Sequence, residues 1–99
     1  MLAGINVVVD TAIIGVGGIT VEHGLTTNLL EEALTATAMI EAANRTIVVV
    51  EASKLGQRCF ARIAPLMSID ILVTESPPPS DLAEALAEAQ VQVVVAPRV

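Results

Sequence analysis

The sequence predicts an α/β fold in which helices flank a parallel β-sheet. Segments rich in valine and isoleucine alternate along the 99 residues with segments rich in alanine, leucine and glutamate. The β-branched segments are continuous apolar runs, which are typical of strands buried on both faces of a parallel sheet. Together these observations predict a single domain, or part of one, with the element order β-α-β-β-α-β.

The first strand and the longer helix are predicted in the first half of the chain. Residues 5–9 and 12–16 are apolar and β-branched, and we expect a buried strand there. From Leu29 to Asn44 the chain is rich in alanine, leucine, methionine and glutamate, which favours a helix. Asn28, with Glu31 three residues later, is an asparagine version of the capping box, so the helix is predicted to begin after Asn28.

The second half of the chain holds the remaining strands and a shorter helix. Three strands are predicted, at residues 46–51, 70–74 and 91–95. A short helix is predicted at residues 82–89, after three prolines, with Ser80 or Asp81 as its N-cap. Residues 53–67 leave two interpretations open, a short helix or an irregular connection, because a glycine and a proline interrupt them.

The composition sets limits on the class of function. Hydrophobic residues make up 54% of the chain, with one phenylalanine and no tryptophan or tyrosine, so the core must be aliphatic. A chain of this length buries only about 60–65% of its unfolded surface. We therefore expect further apolar surface to be hidden in a homo-oligomer or against a missing segment of the domain. The net charge of −6 argues against direct DNA binding, which needs a basic patch.

The cysteine and histidine content argues for a cytoplasmic protein without a metal or cofactor. Cys59 is the only cysteine, so it cannot form an internal disulfide, which fits a reducing cytosol. His23 is the only histidine and has no cysteine nearby, so a metal site is not expected. The first residues lack the basic region of a signal peptide, and no stretch reaches the ~18 apolar residues of a membrane span.

The polar loops after the predicted strands form the candidate site. In open parallel sheets, ligands bind beyond the carboxyl ends of the strands, here residues 15–18, 51–56 and 74–76. Glycines let a backbone approach a ligand, threonines before a helix offer N–H groups to an anion, and a lysine adds a point charge. We predict an anionic, polyhydroxylated ligand bound by Gly15, Gly17, Gly18, Thr26, Thr27, Glu32, Glu51 and Lys54.

Each of these residues also has a purely structural interpretation. The glycines would make a tight strand-to-loop turn, and the threonines would cap the helix. Lys54 would be a solvated surface charge, and Glu32 would complement the helix dipole. Arg58 and Arg62 would be solvated, or would contact a ligand or a second subunit if a helix placed them on one face.

Six motifs follow one another along the chain: Val9–Gly15, Glu22–Thr27, Met39–Ala43, Glu51–Gly56, Phe60–Leu66 and Ile69–Thr74. Together they resemble the DeoR-type sugar-responsive transcription regulators. The resemblance runs to about Val95 and is to the C-terminal half of the effector-binding (sensor) domain. It implies that residues 1–99 are a partial domain with a ribose-5-phosphate isomerase or CoA-transferase-like fold, related also to glucosamine-6-phosphate deaminase.

The same resemblance implies a phosphorylated sugar as the effector. It also implies that DNA is bound only through a helix-turn-helix, which these 99 residues do not contain, and that the first half of the sensor domain is missing. The leading hypothesis is therefore the effector-sensing portion of a DeoR-type repressor, without catalysis. One alternative is a sugar-phosphate isomerase or deaminase fragment that uses Glu32 and Lys54 as its acid–base pair. Another is a truncated remnant without function.

Overall fold

The computed structural model describes residues 8–97, which form two sheets and two helices. In chain order the elements are β1 (Val9–Gly15), β2 (Gly18–Thr20), β3 (Gly24–Thr27), α1 (Leu30–Ala42), β4 (Ala43–Val49), β5 (Ala61–Ala64), β6 (Ile71–Thr74), α2 (Ser80–Glu88) and β7 (Gln92–Val95), with single turns of 3-10 helix at Ala52–Lys54 and Leu66–Ser68. Neither helix in this part of the chain has the length and apolar character needed to cross a membrane.

The larger sheet is parallel and has the strand order β1-β4-β6-β7. Its register aligns Ile14, Val48, Leu72 and Val93 across the four strands. These are the four strands predicted from the sequence. Along the chain, one predicted helix lies between β1 and β4 and the other between β6 and β7, which confirms the α/β fold class. Residues 5–7 of the predicted first strand lie outside the described residues.

The smaller sheet is antiparallel, has the strand order β2-β3-β5, and was not predicted from the sequence. Strands β2 and β3 are joined by a tight turn at residues 21–23, and Gly24 leaves that turn with a φ of 69°. Strand β5 comes from the segment for which a helix or an irregular connection was expected. Thr26 and Thr27 therefore belong to a strand, so the alternative interpretation in which these threonines cap the helix is wrong.

The core lies between the two sheets and the helices. Its most buried large side chains include Leu72 from the parallel sheet, Ile19 and Leu25 from the small sheet, and Leu82 and Leu86 from α2. Each is at most 2% exposed. Full burial of such a side chain contributes roughly 1.5–3 kcal/mol, so the core fixes the helices and the small sheet against the parallel sheet.

Both helices begin at residues other than those predicted. The extended residue before α1 is Leu29, with φ −112° and ψ 124°, and its side chain makes no capping hydrogen bond. Two residues, Asn28 and Leu29, connect β3 to the helix. The second of them is the N-cap, so Asn28 lies one residue too early. The predicted capping box is therefore wrong. Helix α2 follows Pro79, so Ser80 and Asp81 lie inside its first turn.

One face of the parallel sheet is uncovered within residues 8–97. Ile14, Val48 and Leu72 face the core, whereas alternate residues on the same strands point away from it. On that opposite face Ile13 is 63% exposed and Val49 is 49% exposed. Burial on both faces, which the apolar runs predicted, is therefore not found in the described chain. We call this surface the open sheet face.

The winding of the chain explains why only one face is covered. Each successive parallel strand is added on the same side of the previous one, from β1 to β7. Because crossover connections are right-handed, winding in a single direction brings every connection to the same face. The strand sequences are apolar enough for a sheet that is covered on both faces, but the connections in the described chain cover only one face of the sheet.

Candidate functional site

A cleft of about 790 Å³ lies at the carboxyl ends of the parallel strands. It is bounded by the ends of β1, β4 and β6 and by the first turn of α1. The lining residues are Gly15, Val16, Gly17, Thr27, Asn28, Leu29, Glu32, Val49, Val50, Glu51, Lys54, Val73, Thr74, Glu75 and Ala96. We call it the strand-end cleft. Its location is the one that the general rule for parallel sheets predicts.

Six of the eight predicted ligand-binding residues line this cleft together. They are Gly15, Gly17, Thr27, Glu32, Glu51 and Lys54. They come from distant parts of the sequence and are brought together because β1 and β4 end at the same edge of the sheet. Their position agrees with the predicted site, while their binding role stays a prediction.

Gly18 and Thr26, the other two predicted residues, do not line the strand-end cleft. A Cβ atom on Gly18 would lie only 2.1 Å from the carbonyl oxygen of Gln57, so this glycine allows two backbone segments to touch. Thr26 is 2% exposed, and its hydroxyl accepts a hydrogen bond from the Cys59 N–H at 2.9 Å. The same hydroxyl donates to the Gly18 carbonyl at 3.3 Å. Both residues hold the small sheet to the segment after Lys54.

Lys54 reaches the cleft on a turn that is held by the backbone and by Glu75. The Lys54 N–H donates to the Glu51 carbonyl at 2.9 Å, which closes the turn. The Ala52 N–H donates to Glu75 Oε1 at 2.7 Å. The carboxylate at the end of β6 therefore fixes the turn that follows β4. Glu75 was not among the predicted site residues, although its position directly after a predicted strand was a signal for it.

Thr27 and Glu32 form a hydrogen-bonded pair at the other side of the cleft. The Thr27 hydroxyl donates to Glu32 Oε2 at 3.0 Å. Thr27 is the last residue of β3, and Glu32 lies in the first turn of α1, where a carboxylate complements the helix dipole. The structural interpretation of Glu32 and its position in the cleft are thus compatible, because one oxygen is held by Thr27 and the carboxylate still lines the cavity.

The charges of the cleft favour a ligand rich in hydroxyl groups. Glu32, Glu51 and Glu75 supply carboxylate oxygens, which accept hydrogen bonds, and Lys54 supplies one ammonium group. One cation against three carboxylates suits a polyol better than an isolated phosphate. Among residues 8–97, no group of three or more histidine, cysteine, aspartate or glutamate side chains is arranged to hold a metal ion.

Comparison with known proteins gives a family for the chain. Residues 3–76 match the model of the DeoR C-terminal sensor domain. The chain is 36% identical over 85 residues to the HTH-type transcriptional regulator GlpR of Haloferax volcanii, covering 86% of this chain and 33% of the regulator. It is 37% identical over 87 residues to the HTH-type transcriptional repressor GlcR of Bacillus subtilis, covering 88% and 33%.

A third relative is named for a phosphorylated metabolite. It is the glycerol-3-phosphate regulon repressor of Escherichia coli, 28% identical over 83 residues, covering 84% of this chain and 33% of the repressor. The chain spans about one third of the length of these curated relatives.

Proposed function

The chain belongs to the family of DeoR C-terminal sensor domains, and from that membership we propose that it forms the effector-binding portion of a transcription repressor. The proposed effector is a phosphorylated sugar, bound in the strand-end cleft without covalent chemistry or turnover. DNA would be contacted by another region of the whole protein, because this chain carries a net charge of −6. A cytoplasmic location belongs to the same proposal.

The observation that carries the proposal is the set of polar groups that line the strand-end cleft. Glu32, Glu51 and Glu75 would accept hydrogen bonds from sugar hydroxyls, and Lys54 would bind a phosphate or ring oxygen. The backbone at Gly15 and Gly17 borders the same space, where the absence of side chains leaves room for a ligand. A single lysine is a weak phosphate site, so further phosphate contacts would come from the rest of the sensor domain.

The open sheet face supports a second part of the proposal, the position of that remaining sensor domain. Parallel sheets occur almost only with both faces covered, and here Ile13 and Val49 are exposed. The relatives are about two and a half times as long as this chain, which is enough for another α/β unit. A unit wound in the opposite direction from the β1 edge would place its helices on the open sheet face. The strand-end cleft would then lie where the winding reverses, where doubly wound folds bind ligands.

A thermal melt with a panel of phosphorylated sugars tests the effector-binding proposal. A ligand that binds only the folded chain raises stability by about 2.7 kcal/mol at a concentration of 100 times its Kd. We expect one class of sugar phosphate to raise the melting temperature, and Lys54→Met to remove most of that rise. Arg45→Met is the matched control, because Arg45 is an exposed cation that does not line the cleft.

Three results would contradict parts of the proposal. An unchanged response of Lys54→Met would remove Lys54 from the binding site. A shift that occurs only when the chain is joined to the rest of a sensor domain would show that the strand-end cleft of this chain alone does not hold the effector. Conversion of the sugar phosphate to product, abolished by Glu32→Gln, would replace the sensor proposal by the isomerase or deaminase alternative.

A further inference from the structure

A second cavity lies against the small sheet and differs in charge from the strand-end cleft. Its volume is about 410 Å³, and its lining residues are His23, Thr26, Arg58, Cys59, Phe60 and Arg62. None of these residues lines the strand-end cleft. Two guanidinium groups and an imidazole line the cavity, and no carboxylate of the described chain does so. We call it the basic pocket.

A non-helical segment brings the two arginines to one cavity. Along residues 58–62 exposure alternates: Arg58, Phe60 and Arg62 are exposed, Cys59 is half-buried and Ala61 is buried. The backbone bends at Phe60 and β5 begins at Ala61, so the helix that was considered for this segment is absent. Arg58, before the bend, and Arg62, in β5, nevertheless line one cavity.

Hydrogen bonds from backbone N–H groups to threonine hydroxyls fix the frame of the basic pocket. The Cys59 N–H donates to the Thr26 hydroxyl at 2.9 Å, and Thr26 pairs with Arg62 in the small sheet. On the opposite side the His23 N–H donates to the Thr20 hydroxyl at 3.0 Å, which holds the tight turn between β2 and β3. The segments that carry the arginine and histidine side chains are thus positioned by the fold, as a binding site requires.

A layer of backbone separates the basic pocket from the strand-end cleft. The Gly17 N–H donates to the Thr26 carbonyl at 2.9 Å, with Gly17 lining one cavity and Thr26 the other. A Cβ atom on Gly17 would lie 2.8 Å from Cys59 Sγ, so little space connects the two sides. A ligand in one cavity is therefore distinct from a ligand in the other.

We propose that the basic pocket binds a phosphate or carboxylate group of a small molecule, as a second anion site. Two of the five lysine and arginine residues of an acidic chain meet in this one cavity. Guanidinium groups bind phosphate and carboxylate through paired N–H donors, and such charge-assisted bonds are about twice as strong as neutral ones. His23 adds an N–H donor, and the exposed Phe60 ring offers an apolar surface to the rest of the ligand. This inference does not rest on the proposed effector site.

Calorimetric titration of the 99-residue chain with inorganic phosphate, at an ionic strength held constant with sodium chloride, tests the second site. We expect saturable binding that Arg58→Gln and Arg62→Gln each weaken by about tenfold or more, because each removes a charge-assisted contact. Arg45→Gln is the matched control: it removes an exposed arginine from β4, outside the basic pocket, and should leave the affinity unchanged.

Several outcomes would overturn the inference. Binding that does not saturate, or that all three arginine variants weaken equally, would show an adventitious ion only. Loss of phosphate binding in Lys54→Met would place the phosphate in the strand-end cleft. A fall in the molecular mass measured by sedimentation for Arg58→Gln and Arg62→Gln, with phosphate affinity retained, would show that the basic pocket contacts a second copy of the chain.

Discussion

At the scale of single residues, Gly18 shows how closely the small sheet packs against the segment after Lys54. A Cβ atom at position 18 would lie 2.1 Å from the carbonyl oxygen of Gln57 and 2.8 Å from its carbonyl carbon. Both atoms belong to the backbone, so neither can move aside by changing a rotamer. The position therefore requires glycine for packing, whatever ligand the neighbouring cleft holds.

We predict that Gly18→Ala lowers the free energy of unfolding by about 1–3 kcal/mol, the usual cost of inserting a methyl group into a tightly packed site. Urea unfolding measures the change. Gly15→Ala is the control, because its nearest contact would be an ordinary 3.9 Å from the Val49 carbonyl oxygen. Equal stability of the two variants would contradict the close approach of β2 to Gln57.

Glu75 has a role that depends on a contact distant in sequence. Its Oε1 accepts the Ala52 N–H at 2.7 Å across 23 residues of sequence, and so holds the turn that carries Lys54. We predict that Glu75→Ala lowers the free energy of unfolding by about 1–3 kcal/mol, because a hydrogen bond to a charged group is lost and a backbone donor is left without its partner. Urea unfolding measures this change.

The conservative variant separates positioning from charge. Glu75→Gln keeps an oxygen acceptor for the Ala52 N–H, so most of the stability should remain. Sugar-phosphate binding should fall in Glu75→Ala because the turn that presents Lys54 is no longer fixed. If Glu75→Gln were as unstable as Glu75→Ala, the charge of the carboxylate and not this hydrogen bond would be the stabilising factor.

At the scale of secondary-structure elements, helix α1 begins without a side-chain cap. Leu29 occupies the N-cap position in extended conformation, is 59% exposed, and has no oxygen to accept the free N–H groups of the first turn. We predict that Leu29→Asn raises the free energy of unfolding by about 1 kcal/mol, since asparagine is among the best N-cap residues. Thermal unfolding measures the gain.

The neighbouring position provides the control for the helix cap. Leu30 is 58% exposed and is the first residue of α1, so Leu30→Asn changes hydrophobicity in the same way without placing an oxygen at the N-cap. It should give no gain in stability. A similar gain in both variants would mean that removing an exposed leucine, rather than capping, stabilises the protein.

The elements differ in how far their sequences determine them. The parallel strands were predictable because runs such as Thr46–Val50 are β-branched throughout and because strand burial selects such residues. Strand β5 was not, because Ala-Arg-Ile-Ala has weak strand propensity and forms through pairing with β3 and contact with α1, including the Thr37 hydroxyl bond to the Ile63 carbonyl at 2.9 Å.

The candidate site was predictable to the extent that it depends on strand ends. Six of its eight predicted residues meet in one cleft because parallel strands end at a common edge. Gly18 and Thr26 could not be separated from them by sequence, since packing and binding use the same residue types. Glu75 and the basic pocket depend on contacts between distant segments, which local patterns do not contain.

At the scale of the whole molecule, the open sheet face is the surface on which we propose that the rest of the sensor domain packs. Its exposed valine and isoleucine side chains lie on neighbouring strands of one sheet, so they form a continuous apolar surface. Such surfaces mark interaction sites in soluble proteins. If the rest of the sensor domain covers this face, a charge placed there should have different effects in the short chain and in a longer protein.

We predict that Ile13→Lys changes the free energy of unfolding of the 99-residue chain by less than about 1 kcal/mol, because Ile13 is already 63% exposed. When the chain is joined to the rest of a sensor domain, the same substitution should cost about 3 kcal/mol or more, because the covering layer would bury an unpaired charge. Urea unfolding of both proteins measures the difference. Leu34→Lys, at an exposed position on α1, should be tolerated in both. A small effect of Ile13→Lys in both proteins would mean that the remaining domain lies elsewhere.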